Sequence, residues 1–375
     1  MAAESVEIPF SKVFNMAKPT ASSSAQWGRV IKHYLDKVRP SSDFADLPQP
    51  STDLQVLQRD FMRWGYCLVK DALSHEEVEA AKARLLDQAE AERAAGVAQM
   101  GSRKENGQPW VGARQLVSNL ASKGDIFRSI ATFETKQGTI IEELMSRMLG
   151  KDLLIGSIHG VVVEQGAGLQ TLHQDGGTIP MPHPPYPLYA NVIYMYSDFS
   201  LENGGTYVLP GSHADASGAN VITPETDPHE LIRRSPHGLV SLTAPAGTCF
   251  VSDGRLIHAG APRKAPGVRL GNNVYFCRSS QRQQENPYVS FCALDKASPK
   301  LRRLLGLEGL GFGMRHLRHG ARVPVGELSM SRPEEFQQDF DFYYTQEAAM
   351  YEHASGGKTA VYKGPRKQSK AKAKL

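Results

Sequence analysis

Short strand-like segments between residues 153 and 278 constrain the fold more than any other feature of the chain. They are "LLIGSIHGVVVEQ", "LYANVIYMYSD", "GTYVLPGSH", "GLVSLTAPAGTCFVSD", "RLIHAGAP" and "VRLGNNVYFCR". Each is rich in β-branched or aromatic residues, and Gly, Pro, Asn or Asp turns separate them. Because no helical pattern lies between them, an antiparallel sandwich or barrel is favoured over a parallel sheet.

The residues before this region have helical periodicity. The segment "LQVLQRDFMRWG" has apolar residues at helical spacing and ends at Gly65. Ser74 and Glu77 form the S-x-x-E pattern of a capping box at the start of a long helix. A further helical stretch runs to about Met148. We therefore predict a mainly β protein in which a helical buttress packs against a jelly-roll core.

Composition divides the 375 residues into four parts. Residues 1–50 are Ser- and Pro-rich and are expected to form an N-terminal arm and linker. Residues 51–290 contain the predicted helices and strands and form the main domain. Residues 291–362 mix short helical patterns with loops as a C-terminal extension, and residues 363–375 form a basic disordered tail.

The charge pattern limits the kinds of partner that the protein is expected to bind. The formal net charge is +4, and the tail "KGPRKQSKAKAKL" carries much of it. We therefore predict no nucleic-acid partner. No apolar run approaches the roughly 20 residues that span a bilayer, and the start lacks a secretory pattern, which predicts a cytoplasmic protein with no membrane partner. The terminal "AKL" resembles the S-K-L address and makes the peroxisomal matrix the alternative location.

The stretch "TLHQDGG" indicates a metal site. His173 and Asp175 are two positions apart, so on a strand they share one face, and Gly176 and Gly177 then let the chain turn away. Two ligands do not complete a metal shell. His258 also stands at a strand end before a Gly/Pro turn, and a jelly roll brings distant strands together.

Two histidines and one aspartate form the facial triad that suits Fe(II) and leaves coordination positions open. Arg269 begins the strand after His258. A guanidinium binds a carboxylate through two parallel hydrogen bonds. A dicarboxylate that could reach from the metal to Arg269 is 2-oxoglutarate, which we therefore predict as the cosubstrate. We expect O2 to be the other reactant.

Four segments resemble the phytanoyl-CoA dioxygenase-like iron(II)/2-oxoglutarate oxygenases. They are "LQTLHQDGG", "ENGGTYVLPGSH", "SDGRLIHAGAPRKAPGVRLGNNVYF" and "DFMRWGYCLVKDALSHEEVEAAKARL", and the likeness covers about 55–280. The resemblance implies a double-stranded β-helix, with His173, Asp175 and His258 as iron ligands. It also implies that Arg269 binds the distal carboxylate of the cosubstrate.

The resemblance implies further cofactor contacts. Gln170 matches a position that often touches cosubstrate or substrate, and Thr206 matches a frequent cosubstrate contact. Asn119 matches a polar residue that lines the pocket, although a capping or loop amide is an equal alternative. Ile193 stands where many relatives carry a tryptophan, which disfavours an acyl-CoA substrate.

A proline-rich loop at 177–189 follows the His-Asp pair. It is expected to form a wall near the iron, with His183, Tyr186 and Tyr189 as candidate substrate contacts. The alternative is a simple connector.

Together these features predict an Fe(II)- and 2-oxoglutarate-dependent dioxygenase. It would hydroxylate, desaturate or rearrange a hydrophobic small molecule, with succinate and CO2 as co-products, in secondary metabolism. The alternatives are a phytanoyl-CoA-type acyl-CoA hydroxylase and a non-catalytic metal-binding jelly-roll protein. A homodimer is left open.

Overall fold

The computed structural model describes residues 34–100, 113–170, 172–176, 183–214, 227–285 and 297–306, together with the backbone of two short strands at 104–105 and 108–109. Residues 1–33, residues 177–182 of the proline-rich loop, nearly all of the predicted C-terminal extension and the basic tail with its "AKL" lie outside the described residues. The chain forms two units, Met1–Leu301 and Arg302–Leu375. The fold described below is that of the first unit.

Three of the helices begin after a residue whose side chain caps the first turn: Asp53, Ser74 and Asp227. The bounds of the helices are α1 Leu54–Trp64, α2 His75–Ala94, α3 Asp125–Ala131, α4 Gly138–Leu149, α5 Pro228–Arg234 and α6 Pro299–Leu304. The predicted capping box of α2 is confirmed: Glu77 N donates to Ser74 Oγ, and Ser74 N donates to Glu77 Oε2. Helix α1 ends at Gly65, whose φ of 81° lies in the left-handed region.

The strands form two main sheets and one small hairpin. Their bounds are β1 Arg39–Pro40, β2 Tyr66–Val69, β3 Gln99–Met100, β4 Lys104–Glu105, β5 Gln108–Pro109, β6 Arg114–Val117, β7 Leu154–Glu164, β8 Tyr189–Met195, β9 Thr206–Val208, β10 Val240–Ser241, β11 Cys249–Asp253, β12 His258–Gly260 and β13 Val268–Cys277. The major sheet has the order β2-β11-β8-β13-β7-β6-β3, and the minor sheet has the order β1-β10-β9-β12. All pairs are antiparallel except β1 with β10.

The two sheets face each other across an apolar core. Ile193 and Met195 of the major sheet belong to the same buried cluster as Val208 and Val240 of the minor sheet. Phe250 of β11 joins that cluster and is fully buried. Two facing antiparallel sheets with a cavity at one end confirm the predicted double-stranded β-helix.

Helices cover the face of the major sheet that points away from the minor sheet, as predicted. Leu85 of α2 packs on β7 at Gly160, where an added Cβ would lie 2.3 Å from Leu85 Cδ1. The ring of Phe133, between α3 and α4, stacks on Phe276 of β13 with centroids 5.1 Å apart. This covered face leaves the inner face of the same strands free to form the site.

The structure differs from the sequence prediction in one place. Helix α5 interrupts the strand region, which was predicted to contain no helix. Its start follows ordinary rules, because Asp227 Oδ1 accepts a hydrogen bond from His229 N and Pro228 occupies the first helical turn. Within the predicted arm, β1 pairs with β10. No helix among the described residues is both long and apolar enough to cross a membrane.

We expect Gly160→Val to lower the free energy of unfolding by about 1–3 kcal/mol, because the new side chain would overpack the contact between β7 and α2. Denaturant titration measures this loss. The double variant Gly160→Val/Leu85→Ala is the control: its cost should be smaller than the sum of the two single costs. Strictly additive costs would contradict the proposed contact.

Candidate metal centre

His173 and His258 are held opposite each other by a pair of backbone hydrogen bonds. His173 N donates to His258 O at 2.9 Å, and His258 N donates to His173 O at 3.0 Å. The two residues therefore form an isolated antiparallel bridge at the free side of β12. Directly opposed residues point to the same face, and the two imidazole centroids are 4.4 Å apart.

Asp175 completes a cluster of three side chains that could bind one metal ion. One ligand atom from each of His173, Asp175 and His258 lies within 4.8 Å of the others. Asp175 Oδ1 is 3.6 Å from His173 Nε2, and Asp175 Oδ2 is 3.6 Å from His258 Nε2. Neighbouring ligands of a metal bound at about 2.1 Å are about 3 Å apart. Small rotations of these side chains would bring them to that spacing.

Neighbouring groups orient the cluster. His258 Nδ1 lies 3.0 Å from Leu256 O, which favours the tautomer with Nδ1 protonated and leaves Nε2 as an electron-pair donor. Asn191 Nδ2 donates to Asp175 Oδ2 at 2.6 Å, and the Tyr275 hydroxyl donates to the carbonyl oxygen of Asp175 at 2.9 Å. The carboxylate is therefore held by both its side chain and its backbone.

A buried ion pair supports the turn that leads to His258. Asp253 is 1% exposed and accepts hydrogen bonds from Nε and Nη2 of Arg255. Arg255 Nη1 also donates to Pro184 O at 2.8 Å. Arg255 therefore joins the turn after β11 to the described part of the proline-rich loop.

A cavity of about 400 Å³ opens onto the three clustered side chains. Arg269 lines it and is 5% exposed. Its Nε has no hydrogen-bond partner, and no carboxylate pairs with its guanidinium among the described residues. The guanidinium lies over the Phe199 ring at 4.5 Å. Burial, together with Arg114 and Arg263, lowers the pKa of Arg269 to about 9, so it remains a cation at pH 7.

Arg114 contributes a second guanidinium to the same end of the cavity. Arg114 and Arg269 both pair with Val163, from opposite sides of β7. Directly opposed residues point to the same face of a sheet, so both arginines point inward. Arg114 packs over Gly260, where an added Cβ would lie 2.2 Å from Nη1. Sequence reasoning missed this residue, since nothing in the sequence shows that β6 joins the sheet.

The other predicted site residues have different environments. Thr206 and Gln170 line the cavity. Gln170 Oε1 accepts a hydrogen bond from Gly260 N at 2.9 Å, so this amide also ties its segment to β12. Asn119 is absent from the described cavity lining. It has a φ of 54° at the start of a short 3₁₀ turn, and its backbone N–H donates to Glu285 Oε1. It therefore matches the loop alternative.

The candidate substrate contacts from the proline-rich loop also lie elsewhere. His183, Tyr186 and Tyr189 line a separate small pocket and are absent from the described lining of the main cavity. The Tyr186 ring packs against the guanidinium of Arg278. Gly176 N donates to Gly254 O, and both glycines line this smaller pocket together with the three candidate side chains.

Three further polar side chains line the cavity: His159, Asn273 and Gln284. Burial lowers the pKa of His159, partly offset by the negative charge of Asp175, so its imidazole is neutral at pH 7. Asn273 and Arg269 are an even number of positions apart, so their side chains point to the same face of β13. This spacing was visible in "VRLGNNVYF". His159 was not detectable in this way, because its register against β13 is not encoded locally.

Glu285 anchors the segment that carries Gln284. Its Oε2 accepts a hydrogen bond from Ile158 N at 2.9 Å and its Oε1 accepts one from Asn119 N at 3.0 Å. Burial raises the pKa of Glu285, although these two hydrogen bonds oppose the shift. Because β6 ends at Val117, the carboxylate takes the place of a strand beside this part of β7.

Comparison with known proteins decides the family. The family model for phytanoyl-CoA dioxygenase (PhyH) matches residues 61–271, which is more than half of the chain. The chain belongs to the phytanoyl-CoA dioxygenase family. As a member of that family it is a non-heme iron- and 2-oxoglutarate-dependent dioxygenase.

Curated relatives of this family member carry dioxygenase names. The chain is 28% identical to dioxygenase swnH2 of Arthroderma benhamiae over 230 residues, which cover 55% of this chain and 69% of that protein. It is 28% identical to dioxygenase af480 of Aspergillus fumigatus over 178 residues, which cover 45% of this chain and 53% of that protein. The chain thus spans about half of the second relative.

A solved structure shares the fold. The non-heme alpha ketoglutarate dependent carbocyclase SnoK from nogalamycin biosynthesis superposes with a TM-score of 0.51 at 19% identity. The match covers 68% of this chain and 94% of that chain. At this identity the likeness supports the double-stranded β-helix alone.

The residues present fit the iron and the 2-oxoglutarate that the family uses. Two imidazoles and one carboxylate form a donor set suited to Fe(II) that leaves coordination positions open. A buried cation without an anionic partner is electrostatically costly. The unpaired guanidinium of Arg269 therefore suits a ligand that brings a carboxylate into the cavity.

We expect Asn191→Leu to weaken metal binding by about 10- to 100-fold, because it removes the hydrogen bond that orients Asp175. Isothermal titration calorimetry with Ni²⁺ measures this change. Asn203→Leu is the matched control, since Asn203 Nδ2 bonds to Asp198 O away from the cavity. Equal Ni²⁺ affinities for the two variants would show that Asn191 does not orient the ligand.

Proposed function

We propose that this dioxygenase oxidises a C–H bond of a small organic molecule in secondary metabolism, and that His173, Asp175 and His258 hold its iron. The observation that carries the proposal is the shared cavity: the three ligand atoms lie within 4.8 Å of one another, and the unpaired Arg269 guanidinium lines the same space. A cluster of metal ligands alone would not select a dicarboxylate.

The bound iron would supply the redox chemistry that couples decarboxylation of 2-oxoglutarate by O2 to oxidation of the substrate. In hydroxylation, one oxygen atom of O2 enters succinate and the other enters the alcohol, while CO2 leaves. Two of the electrons that reduce O2 come from the cosubstrate. The protein contributes position, because the chemistry of such enzymes belongs to the cofactor.

Arg269 is proposed to bind the distal carboxylate of 2-oxoglutarate. Its side chain is buried on the inner face of β13, and the Phe199 ring beneath the guanidinium restricts its orientation. Arg114 adds positive charge at the same end of the cavity. Thr206, which lies on β9 opposite Gly260, is proposed as a neutral cosubstrate contact.

The side chains near the iron site would also hold the reacting groups in place. Asn191 and Tyr275 restrain Asp175, and the His173–His258 bridge restrains both imidazoles. Restrained ligands would hold the metal in a constant position relative to the bound cosubstrate and substrate, and such positioning lowers the barrier of a reaction.

Succinate formation tests the proposal. The Fe(II)-loaded protein is incubated with 2-oxoglutarate, O2 and candidate substrates, and succinate is quantified. We expect succinate only when all reactants are present, and its loss on chelation, under anaerobic conditions and in His173→Ala. Substrate conversion that persists without O2 would instead indicate a hydrolase or isomerase.

We expect Arg269→Met to raise the KM for 2-oxoglutarate by about 100-fold. The change removes two charge-assisted hydrogen bonds, and a loss of roughly 3 kcal/mol corresponds to that factor. Arg269→Lys should give an intermediate value, since lysine keeps the charge without the planar fork. Succinate formation against 2-oxoglutarate concentration measures both.

Lys264→Met is the charge-matched control for this experiment. Lys264 is exposed and pairs only loosely with Glu202 at 3.5 Å, so its removal changes the net charge but not the cavity. Its KM should remain that of the unmodified protein. If Arg269→Met behaved like Lys264→Met, the proposed cosubstrate site would be wrong.

A further inference from the structure

One transverse row of the major sheet places polar side chains beside the metal ligands. Asn273 of β13 pairs with His159 of β7 on one side and with Ile193 of β8 on the other. The next row in the same direction consists of Tyr275 with Asn191, the two residues that restrain Asp175. The His159–Asn273 pair therefore lies one row from the metal centre and on the same inner face.

The side chains of this pair form no hydrogen bond with any other group of the described protein, although both are half-buried in the cavity lining. Other polar lining residues do have partners: Asn191 and Tyr275 bond to Asp175, and Gln170 bonds to Gly260. Half-buried polar groups without partners are costly unless water or a ligand satisfies them. An amide and a neutral imidazole together offer both donors and acceptors.

Gln284 extends the polar pair to the cavity mouth. Its Oε1 accepts a hydrogen bond from the hydroxyl of Ser157, which is two residues before His159 on the same strand face. That bond leaves the amide nitrogen of Gln284 available as a donor. The Glu285 carboxylate, bonded to β7, holds the segment in place.

Four residues of the cavity lining are apolar. They are Leu116, Val161, Leu169 and Ile193. Leu116 and Val161 are directly paired on neighbouring strands and form one continuous wall. The sequence predicted a hydrophobic substrate, and this wall suits a carbon skeleton. The polar pair facing the same space adds a requirement that a pure hydrocarbon would not meet.

We propose that His159 and Asn273, with Gln284 at the mouth, form a subsite that hydrogen-bonds an oxygen-bearing group of the substrate. The substrate is accordingly an amphipathic molecule that already carries a carbonyl or hydroxyl group, with its skeleton against the Leu116–Val161 wall. This inference rests on the proposed oxygenase function and specifies its substrate.

Matched ligand pairs test the subsite. The protein is loaded with Ni²⁺ and 2-oxoglutarate, so that ligands bind without turnover. The probes are menthone with p-menthane, 2-decalone with decalin, and 1-tetralone with tetralin. Saturation-transfer NMR detects binding, and the shift in Tm with ligand concentration gives the affinity. We expect the ketones to bind at least about tenfold more tightly than their hydrocarbon partners.

Variants assign the preference to the pair. Asn273→Leu and His159→Phe should each remove most of the difference between ketone and hydrocarbon, whereas Asn273→Gln should keep part of it. Val161→Ala is the control from the apolar wall and should weaken both members of a pair alike. The inference would be overturned by equal binding of ketone and hydrocarbon or by the absence of detectable binding for all three ketones. An unchanged preference in both polar variants would also overturn it.

Binding of 2-oxoglutarate separates this test from that of the proposed function. If the unmodified Ni²⁺-loaded protein fails to bind 2-oxoglutarate, the proposed oxygenase function fails. If 2-oxoglutarate binds but the ketone preference is absent, only the subsite fails. If Asn273→Leu loses 2-oxoglutarate as severely as Arg269→Met does, Asn273 belongs to the cosubstrate site and the subsite is again wrong.

Discussion

The reciprocal hydrogen bonds between His173 and His258 are the interaction on which the site depends. They join two segments that are distant in sequence, and they place both imidazoles on one face without help from a long strand. Asp175 then enters the cluster because it follows His173 by two residues. A shift of one residue in this pairing would point one imidazole to the other face. The proposed metal site therefore depends on the backbone register of this pairing.

The cavity concentrates polarity inside a protein that is otherwise held together by apolar contacts. Arg269 is buried without a counterion, and the cavity lining also contains Arg114 and His159. Such groups reduce stability in the absence of ligands. The covered face of the major sheet compensates, because Leu85 and Phe133 pack tightly on strands whose other face carries these groups. Strands β7 and β13 thus each have one face for stability and one face for chemistry.

Much of this arrangement could be predicted from the sequence, because the decisive residues are marked by local patterns. The spacing of His173 and Asp175, the strand-end position of His258 and the start of β13 at Arg269 depend on period-two alternation and turn residues. The register between strands is not local, so the convergence of His159 and Asn273 was not readable. The sequence left two interpretations open for Asn119 and for the proline-rich loop for the same reason: proximity in sequence to a motif does not fix where a loop points.

Glu285 anchors a part of the cavity mouth that does not belong to the strands of the barrel. The residue beside it, Gln284, reaches the cavity from a segment that follows the last strand of the barrel, and one carboxylate attaches that segment to the edge of β7. Sequence change in this short stretch can therefore alter which molecules enter without disturbing any strand pairing or metal ligand. Relatives that keep the carboxylate of Glu285 but replace Gln284 would differ in substrate specificity while keeping the same catalytic centre.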